Sequence, residues 1–406
     1  MGSGSTSDPR THRGDEGQRT TEVRHAINIE RLTEWIITQD VLRELCFVNR
    51  QEINSQNQSI KVKVRQFGFG QSNPTFKLII INESKGVETQ LVLRKKPQKV
   101  VDATAHALHR EFRVLKALEL HNSASDPSKA IPVPKVYTYC KDTSILGSEF
   151  YIMEFVAGRI FSDPSMPGMT KTERSAAYQD ILRVLSNLHS VNHHTINLAT
   201  FGKEGRYVER NIQRLMAVSA KQSKTVPFPE IDDIAKQLSK TAPFCPNHIS
   251  LLHGDFKVDN VVFSVSEPKV IAILDWELST IGDPLCDLAN LSIMYYLPRD
   301  TGVGIAGLVG IDLISKGILS QQELLQSYVE RNAVVTLLQL KDWFGFYLAF
   351  LFFKYCVIVQ GVAQRAKAGV ASSAVANKVA NLLPTMIDMT SKILQRNYPP
   401  LQSSNL

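Results

Sequence analysis

The chain reads as an α+β protein, a small β-rich N-terminal lobe followed by a larger, mostly helical C-terminal lobe. Three observations predict this. Between Lys61 and Arg94, β-branched and aromatic residues cluster in short runs broken by turn residues; from Thr170 onward the apolar period is helical; and 162–168, rich in Pro and Gly, separates the two regimes. At 406 residues and 43% hydrophobic content, the chain can bury a sizeable core as one large domain or two lobes. The expected organisation is a disordered tail over 1–25, the small lobe over 26–161, the large lobe over 162–398 and a short tail over 399–406.

In the small lobe, strands are predicted over 61–67, 75–81 and 90–94, joined by 68–74 and 82–89. A helix follows over 105–120, placing Leu108, Glu111, Leu115 and Leu118 on one stripe. Glu111 thus sits on an otherwise apolar face and calls for a cationic partner. Another strand is expected over 150–155. Thr170 to Glu173 form a capping box before a helix over 176–188, and further helices are expected over 207–220 and 230–240 and from Gln321, Lys341 and Ser373. The apolar stretch 343–360, preceded by Asp342 and interrupted by Lys354, reads as a buried helix rather than a membrane span.

Bulk properties narrow the function. A net charge of +7 suits an anionic small ligand better than nucleic acid, since no basic patch is interleaved with aromatics. Five scattered cysteines with no C-x-x-C pair fit reduced thiols in an intracellular compartment. No apolar signal opens the chain, and a cytoplasmic location is expected. Ser404-Asn405-Leu406 approximates a peroxisomal address as the alternative.

The chemistry concentrates in His253-Gly254-Asp255-Phe256-Lys257-Val258-Asp259-Asn260, followed by Asp275. Phosphoryl transfer needs one carboxylate to orient the attacking hydroxyl and oxygen ligands to hold magnesium. The spacing H-x-D-x-x-x-x-N places a base at Asp255 and a metal ligand at Asn260, and Asp275 is the second ligand. The runs 261–263 and 270–274, separated by turn chemistry over 264–269, predict a hairpin. Folded symmetrically about Glu267 and Pro268, it sets Asn260 opposite Asp275, with Cβ atoms roughly 5 Å apart.

Upstream, Gly68 and Gly70 lie between two predicted strands, where a glycine turn lets backbone N–H groups approach phosphates, although Asn73 stands where a third glycine is usual. The strand Leu91-Val92-Leu93-Arg94 points Val92 and Arg94 to one face, Val92 toward an adenine and Arg94 toward phosphates and Glu111. Lys96 shares that face as the alternative cation. Met153, Glu154 and Val156 end the last small-lobe strand, where adenine could meet backbone groups. Asp283 and Asp287 read as caps or braces, and His253 as a packing residue.

Together these residues resemble the aminoglycoside phosphotransferase and choline kinase-like family, over about residues 60 to 390. Segments 70–76, 92–97 and 274–284 are similar to the kinase-like module of acyl-CoA dehydrogenase family members 10 and 11. The resemblance implies a protein-kinase-like two-lobed fold, with ATP and Mg2+ as cofactors. It also implies transfer of the γ-phosphoryl group to a metabolite hydroxyl, with a 4-hydroxyacyl-CoA as candidate substrate. Carried over, Asp255 is the base, Asn260 and Asp275 bind magnesium, and Arg94 with Glu111 positions the phosphates. No dehydrogenase segment follows within the 406 residues. The expectation is therefore a free-standing kinase-like protein, or one whose next step is supplied by a separate acyl-CoA dehydrogenase. The competing expectation, motivated by Asn73 and Arg94, is a catalytically weak nucleotide- or CoA-binding module with a scaffolding role.

Overall fold

The computed structural model describes residues 20–21, 27–46, 60–67, 73–97, 107–332, 334–369 and 376–395. Gly68 and Gly70, nearly all of the expected tail over 1–25 and the whole of 399–406 lie outside the described residues. The strands are β1 (Thr20–Thr21), β2 (Ile60–Phe67), β3 (Thr75–Asn82), β4 (Val87–Lys95), β5 (Val136–Cys140), β6 (Phe150–Glu154), β7 (Ser250–Leu252), β8 (Val261–Phe263), β9 (Val270–Ile273) and β10 (Thr280–Gly282). The helices are α1 (Ile29–Thr38), α2 (Asp40–Leu45), α3 (Leu108–Ala124), α4 (Thr143–Leu146), α5 (Lys171–His189), α6 (Tyr207–Gln222) and α7 (Pro229–Thr241). They continue with α8 (Leu285–Ser292), α9 (Leu313–Lys316), α10 (Gln321–Arg331), α11 (Leu337–Lys367), α12 (Ala376–Ala380) and α13 (Leu383–Gln395).

These elements form two compact units. One comprises Met1–Phe161 with Asp259–Glu277, the other Ser162–Val258 with Leu278–Leu406. The first unit holds an antiparallel sheet in the order β1-β2-β3-β4-β6-β5. Strict alternation along β3 buries Phe76, Leu78 and Ile80. They pack with Leu91 and Leu93 of β4, Ile152 of β6, and Leu32, Ile36 and Leu42 of α1 and α2, which cover that face of the sheet. Asn28 caps α1, its side chain accepting the Arg31 N–H at 3.0 Å. On α3, Leu108, Glu111, Leu115 and Leu118 are all buried, so the predicted stripe is present with its carboxylate inside.

β8 and β9 group with the β-rich unit. The cause is local packing. Val262 and Ala272 form an apolar cluster with Ile160, and Arg159 and Phe263 exchange backbone hydrogen bonds of 2.7 and 2.8 Å. Gly158 permits this approach, since a Cβ there would lie 2.4 Å from the Phe263 carbonyl oxygen.

The hairpin's register also departs from expectation. Val261 pairs with Ile273 and Val262 with Ala272, but Phe263 pairs with Val270, so β9 carries one extra residue. The turn is centred between Ser266 and Glu267, with the Ser264 N–H donating to the Lys269 carbonyl at 2.8 Å, and the extra residue in β9 recovers only part of that offset at the open end. Leu274, not Asp275, stands opposite Asn260, donating its N–H to the Asn260 carbonyl at 2.8 Å. Asp275 is displaced one position onward and adopts φ +65°, a left-handed conformation that costs most residues energy but that Asp and Asn tolerate best. Buried Trp276 closes this turn by donating its indole N–H to the Ile273 carbonyl at 2.9 Å.

In the second unit, α5 opens with the expected capping box: Thr170 Oγ1 accepts the Glu173 N–H at 3.2 Å, and Glu173 accepts the Thr170 N–H at 2.7 Å. The 31-residue α11 is long and apolar enough to cross a membrane by length and composition, yet 67% of its most apolar window is buried. It packs along α6, α8 and α13, and its buried Gln360 is answered by Ser219, Ser223 and the Val226 carbonyl. β7 and β10 pair as a short antiparallel ribbon, Leu251 opposite Ile281.

Candidate active site

In the β-rich unit, the alternation of β4 sends Leu91 and Leu93 into the core and Val92 and Arg94 to the opposite face, both nearly fully buried. Arg94 Nη1 pairs with Glu111 Oε1 at 2.8 Å, while Nη2 reaches Asp275 Oδ1 at 3.1 Å and Glu277 Oε2 at 3.7 Å. Asn73, at the departure from the three-glycine pattern, is 1% exposed and donates Nδ2–H to Glu277 Oε2 at 3.1 Å. Sequence reasoning placed Arg94, Glu111 and Asp275 here. It missed Glu277 and Asn73 as members, although both lie inside quoted motifs. The Lys96 N–H donates to the Glu149 carbonyl at 2.9 Å, and Arg94 is the cation that the structure brings to Glu111 and Asp275.

One guanidinium therefore faces three carboxylates, a surplus of two negative charges when all are ionised. Burial alone would lower the Arg94 pKa, but Glu111, with Tyr151, Asp275 and Glu277, holds it above its ordinary value. Glu111 bears the cost of the crowding. Burial, helped by Asp275 and Glu277, pushes its carboxyl up to about 7 against the pull of Arg94. Asn73 Oδ1, Arg94 Nε and Glu111 Oε2 are buried without a hydrogen-bond partner among the described residues.

The neighbouring strands carry the remaining expected positions. Val92 lies between Lys77 of β3 and Met153 of β6 in the sheet register. The Glu154 N–H already donates to the Lys135 carbonyl at 2.8 Å, and its carboxylate accepts the Lys135 N–H at 3.1 Å. Val156 packs against the Ile160, Val262 and Ala272 cluster.

In the helical unit, β7 delivers the loop that carries Asp255. Gly254 is required here: its φ is +84°, and a Cβ would lie 2.3 Å from the Leu278 carbonyl oxygen. Asp287, in the first turn of α8, accepts the His253 N–H at 2.7 Å and the Gly254 N–H at 2.8 Å. His189 Nε2 lies 3.3 Å from the same carboxylate, and its Nδ1 is 2.7 Å from the Tyr328 hydroxyl. Burial would raise the Asp287 pKa, but these donors and the nearby histidines hold it below the ordinary value. Asp283 accepts the Leu285 N–H at 3.0 Å, just ahead of α8, and takes the Tyr347 hydroxyl at 2.7 Å. His253, fully buried, meets Phe256 edge-on, and its Nδ1 accepts the Asp255 N–H at 3.3 Å.

Asp255 itself is held by two side chains from distant sequence and by nearby Lys257. Asn290 Nδ2 lies 3.3 Å and the Tyr355 hydroxyl 3.5 Å from Oδ1, and Lys257 Nζ is 3.4 Å from Oδ2. Tyr355 also donates to Asn290 Oδ1 at 2.9 Å, and Asn290 donates to the Phe256 carbonyl at 3.1 Å. Lys354 donates to the Gly254 carbonyl at 3.2 Å. Asn290, Lys354 and Tyr355 escaped sequence reasoning because they carry no motif and lie 35 to 100 residues away.

A β-rich unit with a buried arginine–carboxylate cluster, followed by a helical unit presenting a braced H-G-D loop, defines a kinase-like phosphotransferase of the α+β class. The chain belongs to the phosphotransferase enzyme family, whose family model matches residues 63–311, and with it to the small-molecule kinases that act on hydroxyl groups. It is 36% identical over 328 residues to mouse acyl-CoA dehydrogenase family member 10, covering 81% of this chain and 29% of that protein. It is 38% identical over 338 residues to human acyl-CoA dehydrogenase family member 11, covering 82% of this chain and 40% of that protein. The chain thus spans well under half the length of these relatives. Among solved structures, a candidate aminoglycoside phosphotransferase from Ralstonia eutropha JMP134 superimposes with a TM-score of 0.70 at 31% identity, covering 91% of this chain and 99% of that one. A thermostable mutant of aminoglycoside phosphotransferase APH(4)-Ia, solved with AMP-PNP and hygromycin B, shares the fold at a TM-score of 0.52 and 15% identity, covering 84% of this chain and 97% of that one.

Proposed function

We propose that this protein is an ATP- and Mg2+-dependent kinase that phosphorylates a hydroxyl of an acyl-CoA metabolite, with a 4-hydroxyacyl-CoA as the candidate acceptor. The observation that carries the reading is the charge surplus around Arg94, three carboxylates against one buried cation. Such an excess fits a divalent ion, and the unmet Asn73 Oδ1 and Glu111 Oε2 leave polar capacity beside it. Asn260 and Asp275 would hold magnesium, which when bound neutralises charge on the phosphates. Arg94, kept in place by Glu111, orients the phosphates, and Val92, Met153, Glu154 and Val156 border the base. Asp255 accepts the proton from the acceptor hydroxyl as its oxygen bonds to the γ-phosphorus and the bond to the β–γ bridging oxygen breaks.

The acyl-CoA assignment rests on the dehydrogenase names of the relatives, and the net charge of +7 agrees with an anionic ester. A panel of hydroxyacyl-CoAs, choline, aminoglycosides and hydroxy amino acids, incubated with MgATP and read by mass spectrometry, tests activity and acceptor together. Asp255→Asn should lower turnover by about 10²–10⁴-fold while leaving the MgATP thermal shift intact. Absence of any phosphorylated product would sink the reading. A thermal shift without turnover would favour a nucleotide-binding module instead, a reading favoured by Arg94 already being engaged by three carboxylates.

A further inference from the structure

The turn leaving α5 brings together three side chains that the phosphotransfer reading does not use. His193 Nε2 lies 2.8 Å and His194 Nε2 3.0 Å from the same oxygen, Glu204 Oε1. The two rings are 4.2 Å apart and tilted by 35°, and the three ligating atoms all lie within 4.8 Å of one another. Spacing gave no hint of this, because adjacent histidines rarely turn the same nitrogen to one point. Here the backbone forces them to. Asn192 accepts the His194 N–H on its side chain at 3.1 Å and the Thr195 N–H on its carbonyl at 3.1 Å, while the His193 carbonyl accepts the Leu198 N–H at 2.9 Å.

We propose that His193, His194 and Glu204 bind one divalent transition-metal ion of the zinc class. Two imidazole nitrogens and one carboxylate suit such an ion, whereas magnesium and calcium favour oxygen-only shells. Metal–ligand bonds of about 2.0–2.2 Å in a tetrahedral site put neighbouring ligand atoms about 3.4 Å apart. Both observed separations need to open by only about half an ångström to reach this. To offer Nε2 to the ion, each neutral imidazole keeps its single ring proton on Nδ1, so a proton that faces the carboxylate from Nε2 moves to Nδ1 through solvent. His193 is 6% exposed and anchors the site from inside, while the His194 and Glu204 side chains are 57% and 39% exposed, leaving the fourth position open to water. The ion would clip the turn after α5 to the segment entering α6.

The test uses the full chain, stripped by chelator, dialysed and supplied with millimolar MgCl2 to fill oxygen-ligand sites. Zinc titration by calorimetry should show one more tight equivalent in the wild type than in His194→Ala or Glu204→Gln, with affinity at that step reduced at least about tenfold. Both substituted residues are partly exposed. If the alanine variant melts lower without metal, Glu204→Gln, which keeps the side chain's shape, supplies the comparison. Cobalt in place of zinc should give visible bands without thiolate charge-transfer absorption, and zinc should raise the melting temperature of the wild type alone. Equal stoichiometry and affinity in wild type and variants would overturn the proposal. Thiolate bands that persist in the variants would do the same, by placing the metal on cysteine.

Discussion

Asp287 in the helical unit and Arg94 in the β-rich unit are both buried charged groups, each at the centre of a polar network, and their surroundings answer them differently. Asp287 receives two backbone N–H groups and an imidazole, and these hold its pKa down despite burial. Arg94 faces three carboxylates, and the network around it leaves Asn73 Oδ1, Glu111 Oε2 and its own Nε unmatched. A closed network fixes geometry in advance of any ligand. An open, over-charged one is stable only to the degree that something else completes it, which is the property expected of a binding site.

The comparison can be broken at either end. The largest effect is expected for Asp287→Ala, which strands the His253 and Gly254 N–H groups and the His189 ring: a loss of about 3–5 kcal/mol in chemical denaturation, not recovered by adding MgATP. Recovery by MgATP would show that the brace is no more self-sufficient than the arginine cluster. Next is Glu111. Its folded pKa of about 7 exceeds the ordinary 4.5, so its contribution is full below pH 4.5 and is lost as pH rises through 7. Between pH 4.5 and 8 the wild type should lose up to about 3 kcal/mol that Glu111→Gln does not, measured as the difference in urea midpoints.

Asp275→Asn removes one surplus charge at a φ that Asn tolerates, so the ligand-free protein should gain about 1 kcal/mol while its thermal shift with MgATP disappears. A ligand-free protein that melts lower would mean the Arg94 ion pair outweighs the crowding. The smallest change is expected for Asn73→Ala, at most about 1 kcal/mol, because the lost donor to Glu277 takes an unmatched acceptor with it. A larger loss, read from the same denaturation curves, would mark Asn73 as a structural bridge.

Much of the fold was legible along the chain. The strands at β2, β3, β4 and β6, the inward stripe of α3 and the capping box of α5 follow from periods of 2 and 3.6 and from capping chemistry, which neighbouring residues decide. α1, α2 and β5 were passed over: the helices are short, and β5 buries only Val136 and Cys140, so no alternation announces it. The hairpin was predicted in place but one residue out of register at Asn260, because its turn centres between Ser266 and Glu267 rather than on Glu267 and Pro268, and the bulge in β9 recovers only one residue of that offset.

By itself, then, the sequence determined the α+β order of elements, the H-G-D loop with its spacing to Asn260, and the need of Glu111 for a cation from the end of β4, with Arg94 ahead of Lys96. Each rests on local periodicity, or on the demand of a buried charge for a partner. Only the tertiary structure decided that Asp275 turns left-handed toward Arg94, that Glu277 and Asn73 join that cluster, and that Asn290 and Tyr355 hold Asp255. It also decided that two adjacent histidines share one glutamate. Those arrangements depend on which distant backbones pack together, and no run of neighbouring residues encodes that choice.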